Sequence, residues 1–113
     1  MTLLLSLALS LCPDAGRRYT CVHDGDSLVY KTERLRIADI DTPELNGQCP
    51  YEIAKAKEAR DRLLELLNER GLQFTRVGTD RYGRTLVEMP AVSEQLIREG
   101  LARRWKGKRE NWC

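Results

Sequence analysis

A chain of 113 residues has room for one hydrophobic core and not for two. With 42% hydrophobic and 32% charged residues it is globular rather than disordered, and no stretch approaches the roughly 20 apolar residues of a membrane-spanning helix. A net charge of +2 is only mildly basic, and the chain contains no internal repeat.

Met1 to Leu11 is an almost unbroken apolar run, similar to the core of a secretory leader. It has no Lys or Arg before it and no small-x-small cleavage site, and Leu11 stands where a lipoprotein Cys12 would need a small neighbour. Residues 1–18 are therefore set apart as an apolar N-terminal segment, read as part of a longer leader, a remnant of one, or an added strand. Tyr19 to Val22 and Leu28 to Tyr30 are β-prone, and Asp24-Gly25 between them reads as a hairpin turn with Asp26 just past it. Alone, such a turn carries no chemistry. His23 precedes that turn at a strand end and is assigned a structural rather than a catalytic role.

Arg34 to Asp41 alternates in period two, with Leu35 and Ile37 inward, and runs into Thr42-Pro43-Glu44. Pro43 biases Thr42 to an extended conformation, so Asp41 and Glu44 are held at a strand end. A hard cation such as Ca²⁺ takes oxygen ligands, and two carboxylates with one backbone carbonyl leave coordination free for a phosphate. Asp26 and Asp41 are the candidate carboxylates and Thr42 the candidate carbonyl, with Glu44 placed to hold or deprotonate a water. Arg36 and Arg84 offer guanidinium groups that stay charged near neutral pH and pair with phosphate oxygens. Asp39 alternates with Asp41 and is expected to be an outer ligand or a tuning charge.

Pro50 to Arg70 reads as a helix with Ile53, Ala56, Ala59, Leu63, Leu66 and Leu67 on one face, proline in the first turn and Gly71 after the end. Leu72 to Val77 and Thr85 to Met89 read as strands, with Leu72, Phe74 and Val77 inward. Ser93 to Glu99 reads as a second helix capped by Ser93. Arg103, Arg104, Lys106, Lys108 and Arg109 form a basic run around Trp105. It is either a phosphate contact with a stacking surface or a solvated tail whose Trp105 packs on the core. Cys12, Cys21, Cys49 and Cys113 lack CxxC spacing, which argues against a zinc ribbon. Of the three possible pairings we favour Cys12 with Cys21 and Cys49 with Cys113, the last pinning the tail; reduced, buried cysteines are the competing reading.

Asp24-Gly25-Asp26, Arg36 through Asp41-Thr42-Pro43-Glu44, and Asp80-Arg81-Tyr82-Gly83-Arg84 together resemble the signature of the staphylococcal nuclease (thermonuclease-like) family. The resemblance covers about Tyr19 to Ala102. It implies an α+β, mainly β fold, a five-stranded OB-fold barrel with two packed α-helices over residues 19–102, followed by a basic tail at 103–113. It further implies Ca²⁺-dependent hydrolysis of DNA and RNA leaving 3′-phosphate ends, with nucleic acid as the partner and a monomer as the working form. Asp26, Asp41 and Thr42 match the calcium ligands, Glu44 the residue given the general-base role, Arg36 and Arg84 the phosphate-binding arginines, and Tyr82 a tyrosine at the nucleotide pocket. Arg81 stands where the family often has lysine and is placed with Tyr82 as a substrate contact. Two departures bear on substrate affinity: longer members carry a long helix where this chain ends, and Arg103-Arg104-Trp105 replaces the tyrosine pair that follows Gly-Leu-Ala. Export to an oxidising, calcium-rich compartment is expected. The alternative function is a non-catalytic OB-fold nucleic-acid-binding module.

Overall fold

The computed structural model describes residues 9–113, so most of the apolar run, residues 1–8, lies outside the described residues. Among the described residues the chain folds as α+β with two helices. Its elements in order are β1 (Ser10–Leu11), β2 (Cys21–Asp24), β3 (Ser27–Tyr30), β4 (Glu33–Ile37), β5 (Ile40–Asp41), α1 (Pro50–Arg70), β6 (Thr75–Thr79), β7 (Thr85–Glu88), α2 (Pro90–Arg98) and β8 (Arg103–Arg104).

The main sheet runs β1-β2-β3-β4-β7-β6. Its five strands from β2 to β6 are those the motifs required, and β1 adds a sixth at the edge, parallel to β2. Among the described residues no ladder joins β6 back to β1 or β2, so the barrel's hydrogen bonding is open on that side. The β4–β7 pair is also parallel, and β2–β3, β3–β4 and β6–β7 are antiparallel. A separate two-stranded ribbon pairs β5 with β8, setting Asp41 opposite Arg103.

The core forms where helix periodicity meets strand alternation. Ala59, Leu63, Leu66 and Leu67 of α1 close over Val22, Leu28, Leu35, Ile37 and Val87 of the sheet, with Leu96 of α2 and Leu101 completing the cluster. Leu63 is fully buried, and Leu63→Ala is expected to cost about 2–5 kcal/mol in chemical denaturation through lost contacts and a residual cavity. Helix α1 begins and ends as its residues suggest: Pro50 occupies the first turn, and Gly71 follows at φ 82 with its N–H on the Leu67 carbonyl.

Four expectations need correction. The Arg34–Asp41 strand is broken at Ala38-Asp39 into β4 and β5, because Arg36 folds its own guanidinium onto the Ile37 carbonyl and onto the Ile40 carbonyl at 3.1 Å. Leu72 to Val77 does not run as one inward-facing strand: β6 starts at Thr75, shifts register between Arg76 and Gly78, and leaves Val77 48% exposed. Helix α2 starts at Pro90 after Met89 with no side-chain cap. Ser93 lies inside it and donates its hydroxyl to Asp39 Oδ1 at 2.8 Å. Asp39 is thereby turned to α2, away from a metal-tuning role.

Both favoured disulfides, Cys12–Cys21 and Cys49–Cys113, are formed. No described helix is long and apolar enough to cross a membrane.

Candidate metal and phosphate site

The β2–β3 hairpin delivers the first carboxylate. Its tip is packed so closely that a Cβ on Gly25 would lie 2.8 Å from Ala59 Cβ and 3.1 Å from Thr42, so only glycine seats the turn against α1. Asp24 Oδ1 braces the turn by accepting from the Asp26 N–H at 3.2 Å and from the Ser27 hydroxyl at 2.6 Å. Asp26 is thus driven inward to 1% exposure.

Asp41, at the end of β5, is fully buried and Thr42 follows at 1% exposure. Asp26 Oδ2 and Thr42 Oγ1 are buried with no hydrogen-bond partner. Burial, with the nearby Asp24 charge, pushes the Asp26 carboxyl up to about 7. Asp26 Oδ2 accepts no hydrogen bond, and the guanidinium groups of Arg36 and Arg109, 3.6 and 3.9 Å away, offset its burial only in part, which fits a divalent cation held by Asp26, Asp41 and the Thr42 carbonyl. Among the described residues no three His, Cys, Asp or Glu side chains converge as a ready-made metal cluster.

The raised Asp26 carboxyl has a measurable sign. A group that titrates near 3.8 unfolded and near 7 folded weakens the metal-free fold as pH rises between those values. Asp26→Asn removes that cost. Its metal-free melting temperature should exceed the wild type's by a margin that grows from pH 5 to pH 8, equivalent to ~4 kcal/mol at most. A margin independent of pH would contradict the assignment.

Glu44 is half-buried, and its carboxyl is pushed up by burial and by the charges of Asp26 and Asp41, with Arg109 opposing. Its backbone is fixed by a residue the sequence reading missed. Glu52, in the first turn of α1 and 6% exposed, accepts from the Glu44 N–H and the Gln48 N–H, each at 3.0 Å. A Cβ on Gly47 would come within 2.6 Å of the Glu52 side chain. Gly47→Ala should therefore displace this clamp and destabilise the fold by about 1–3 kcal/mol, read by chemical denaturation.

The two arginines have different surroundings. Arg36 is 6% exposed, with Nη2 3.6 Å from Asp26 Oδ2 and its guanidinium 4.9 Å from the centre of the Trp105 ring. The expected outward position is thus covered by the tail. Arg84 Nε pairs with Asp80 Oδ2 at 2.8 Å, and Asp80 Oδ1 accepts from the Tyr82 and Arg84 N–H groups at 2.9 Å each. Burial works against the Asp80 charge, yet these donors hold its carboxyl below the usual range. Arg84 makes no contact with Asp26 or Asp41; it lines a cleft of about 480 Å³ with His23, Asp24, Glu44, Asn46 and Arg109. His23 lies there 46% exposed beside Arg18, 3.1 Å from Nδ1, outside the carboxylate set.

Arg36 and Arg84 meet in a second cleft of about 660 Å³, where Arg81, Tyr82, Trp105 and Lys108 add cations and aromatic faces. Arg81 donates to the Tyr82 hydroxyl at 3.0 Å, and Tyr82 is 61% exposed. The largest surprise is the tail. Arg109 Nη1 lies 3.1 Å from Asp41 Oδ1 and 3.9 Å from Asp26 Oδ2, and contacts Glu44 Oε2. The Glu110 N–H and Trp112 Nε1–H donate to Asp41 Oδ2 at 2.9 and 3.2 Å. Sequence reading had Arg109 only as one cation in a basic run; the neighbouring Trp112-Cys113 was the signal that this stretch is anchored.

Comparison with known proteins bears on the family of the chain. A probable staphylococcal-like nuclease from Oryza sativa subsp. japonica is 32% identical over 79% of this chain and 26% of its own length. An uncharacterized endonuclease from Haemophilus influenzae is 27% identical over 92% of this chain and 61% of its own length. A micrococcal nuclease from Shigella flexneri is 36% identical over 70% of this chain and 52% of its own length. The chain thus spans between about a quarter and three fifths of these relatives. The family profile described as staphylococcal nuclease homologue matches residues 34–112, from the strand that carries Arg36 to the tryptophan that donates to Asp41, and the chain belongs to that family.

Proposed function

We propose that the protein is a Ca²⁺-dependent nuclease that hydrolyses phosphodiester bonds of DNA or RNA and leaves 3′-phosphate ends. One observation carries this reading: two buried carboxylates, one with an unsatisfied oxygen, and half-buried Glu44 all face Arg109, which lines both the cleft of Arg36 and Arg84 and the cleft of Glu44 and Arg84. Asp26, Asp41 and the Thr42 carbonyl would hold the metal. When bound, it supplies positive charge to a nonbridging phosphate oxygen.

The chain's own groups do the rest. Glu44 takes a proton from the attacking water, its raised affinity for protons suiting it to that transfer. Arg84, oriented by Asp80, donates to phosphate oxygens as charge builds on them, and Arg36 supports the same oxygens from the β4 side. The water oxygen bonds to phosphorus and the bond to the 5′-oxygen breaks; that oxygen takes a proton from solvent as it leaves, and Glu44 releases the proton it took to solvent. Arg81 and Tyr82, exposed at the cleft rim, contact the nucleotide. The two disulfides support an exported protein.

The contact of Arg109 with all three carboxylates favours, as a second reading, a binding module whose site is neutralised by its own chain. Product ends decide between them. A 5′-labelled oligonucleotide incubated with protein and Ca²⁺ should yield fragments that a polymerase extends only after phosphatase treatment. Retarded but uncut oligonucleotide would establish the binding module instead.

A further inference from the structure

One nitrogen, Arg109 Nη1, faces Asp26, Asp41 and Glu44 together, the place where a divalent cation would be held. The backbone that delivers it is anchored on both sides. Upstream, Arg103–Arg104 pair with β5, and the Trp105 N–H donates to the Asp39 carbonyl at 2.9 Å. Downstream, Trp112 is 5% exposed with the Arg103 guanidinium 3.8 Å from its ring centre, and Cys113 is bonded to Cys49 at the start of α1. Between these anchors only the Arg109 side chain enters the site, and it remains 42% exposed towards both clefts.

We propose that Arg109 is a tethered internal cation that competes with the divalent metal for Asp26 and Asp41, while also pairing with Glu44, and so sets the metal affinity of the site. The inference rests on the metal-site reading given above. A guanidinium and a divalent cation repel at this distance and need the same oxygens, so binding one displaces the other. Displacement need not unseat the tail. Its fixed donors, the Glu110 N–H and Trp112 Nε1–H, hold Asp41 Oδ2, whereas Arg109 uses Oδ1. The side chain can therefore swing into the cleft beside Lys108 while the backbone stays in place. Because the tether is covalent, the competitor has a fixed effective concentration and imposes a constant penalty on metal binding.

Isothermal titration of Ca²⁺ into the full oxidised chain tests this, with Arg109→Ala, Arg109→Gln and Asp41→Asn compared with wild type. Both Arg109 variants should bind Ca²⁺ at least ~10-fold more tightly, since they lose the competitor and leave the carboxylates repelling one another. In EGTA they should melt below the wild type, and with saturating Ca²⁺ that gap should close. Arg109→Gln keeps most of the side chain and serves where alanine does not fold. Affinity that depends on Asp41 but is unchanged or weaker in the Arg109 variants would overturn the proposal alone. Absence of Ca²⁺ binding in the wild type and in both Arg109 variants would overturn the metal-site reading with it.

Discussion

Glu44→Gln is expected to reduce turnover of a labelled oligonucleotide by about 10²–10⁴-fold, and Arg84→Ala by about 10²–10³-fold, with circular dichroism and melting temperature near those of the wild type. Neither side chain holds the fold together. Glu44 is positioned through its backbone N–H, which Glu52 receives, so removing the carboxylate charge leaves the loop clamped. What is lost is the proton acceptor beside the two buried aspartates. Arg84 forms one partly exposed ion pair, and Asp80 keeps two backbone donors when that pair is removed, so the stability cost should be about 1 kcal/mol or less. Its effect on rate should exceed that on stability because a guanidinium meets the charge that develops on phosphate oxygens only during the reaction. A loss smaller than tenfold for either variant would remove that residue from the mechanism.

Replacing Cys49 and Cys113 together by serine should lower stability by about 4 kcal/mol and the melting temperature by ~15 °C. The bond closes a loop of sequence separation 64, against 9 for Cys12–Cys21, so it restricts the unfolded chain far more. The same arithmetic gives about 2.5 kcal/mol for the Cys12/Cys21 double variant. Buried Trp112 keeps part of the tail in place after the bond is gone. Calorimetry of oxidised wild type and both double variants checks the order. A larger effect at Cys12/Cys21 would mean that the tail contributes little to the fold.

Local chemistry was readable from local residues. The hairpin near Asp24-Gly25, the apolar face of α1 and its proline and glycine boundaries all follow from neighbours within a few positions; the helix appears as expected, and the turn falls one residue later, on Gly25-Asp26, with Asp24 paired to Ser27. Misreadings arose where a side chain bonded far from its own strand. Period-two alternation carries no information about Arg36 capping the Ile37 and Ile40 carbonyls, so the break between β4 and β5 was invisible. Asp39 shares the spacing of Asp41 but is captured by Ser93, 54 positions away. Val77 is skipped by the register shift in β6, a strand whose residues are all exposed, and it lies three positions from Phe74, out of phase with Leu72 and Phe74.

The carboxylates and arginines were named because their residue types suit phosphate chemistry, whereas the groups that hold them were not. Glu52 lies on a helix face otherwise filled by aliphatic side chains, and its role depends on a loop that returns to it. Arg109, Glu110 and Trp112 reach Asp41 across 68 to 71 positions. A basic run ending in Trp-Cys carried a hint of anchoring, but its destination required the Cys49–Cys113 bond and the β5–β8 pairing.

The most direct measurement is single-turnover cleavage of a labelled single-stranded DNA across a Ca²⁺ titration, wild type against Asp41→Asn. Wild-type cleavage should rise from none in EGTA to saturation, while Asp41→Asn binds the oligonucleotide yet cuts it at least ~10²-fold more slowly at every Ca²⁺ concentration. Equal cleavage in EGTA and Ca²⁺, or an Asp41→Asn variant as fast as the wild type, would contradict a metal-dependent nuclease built on these carboxylates.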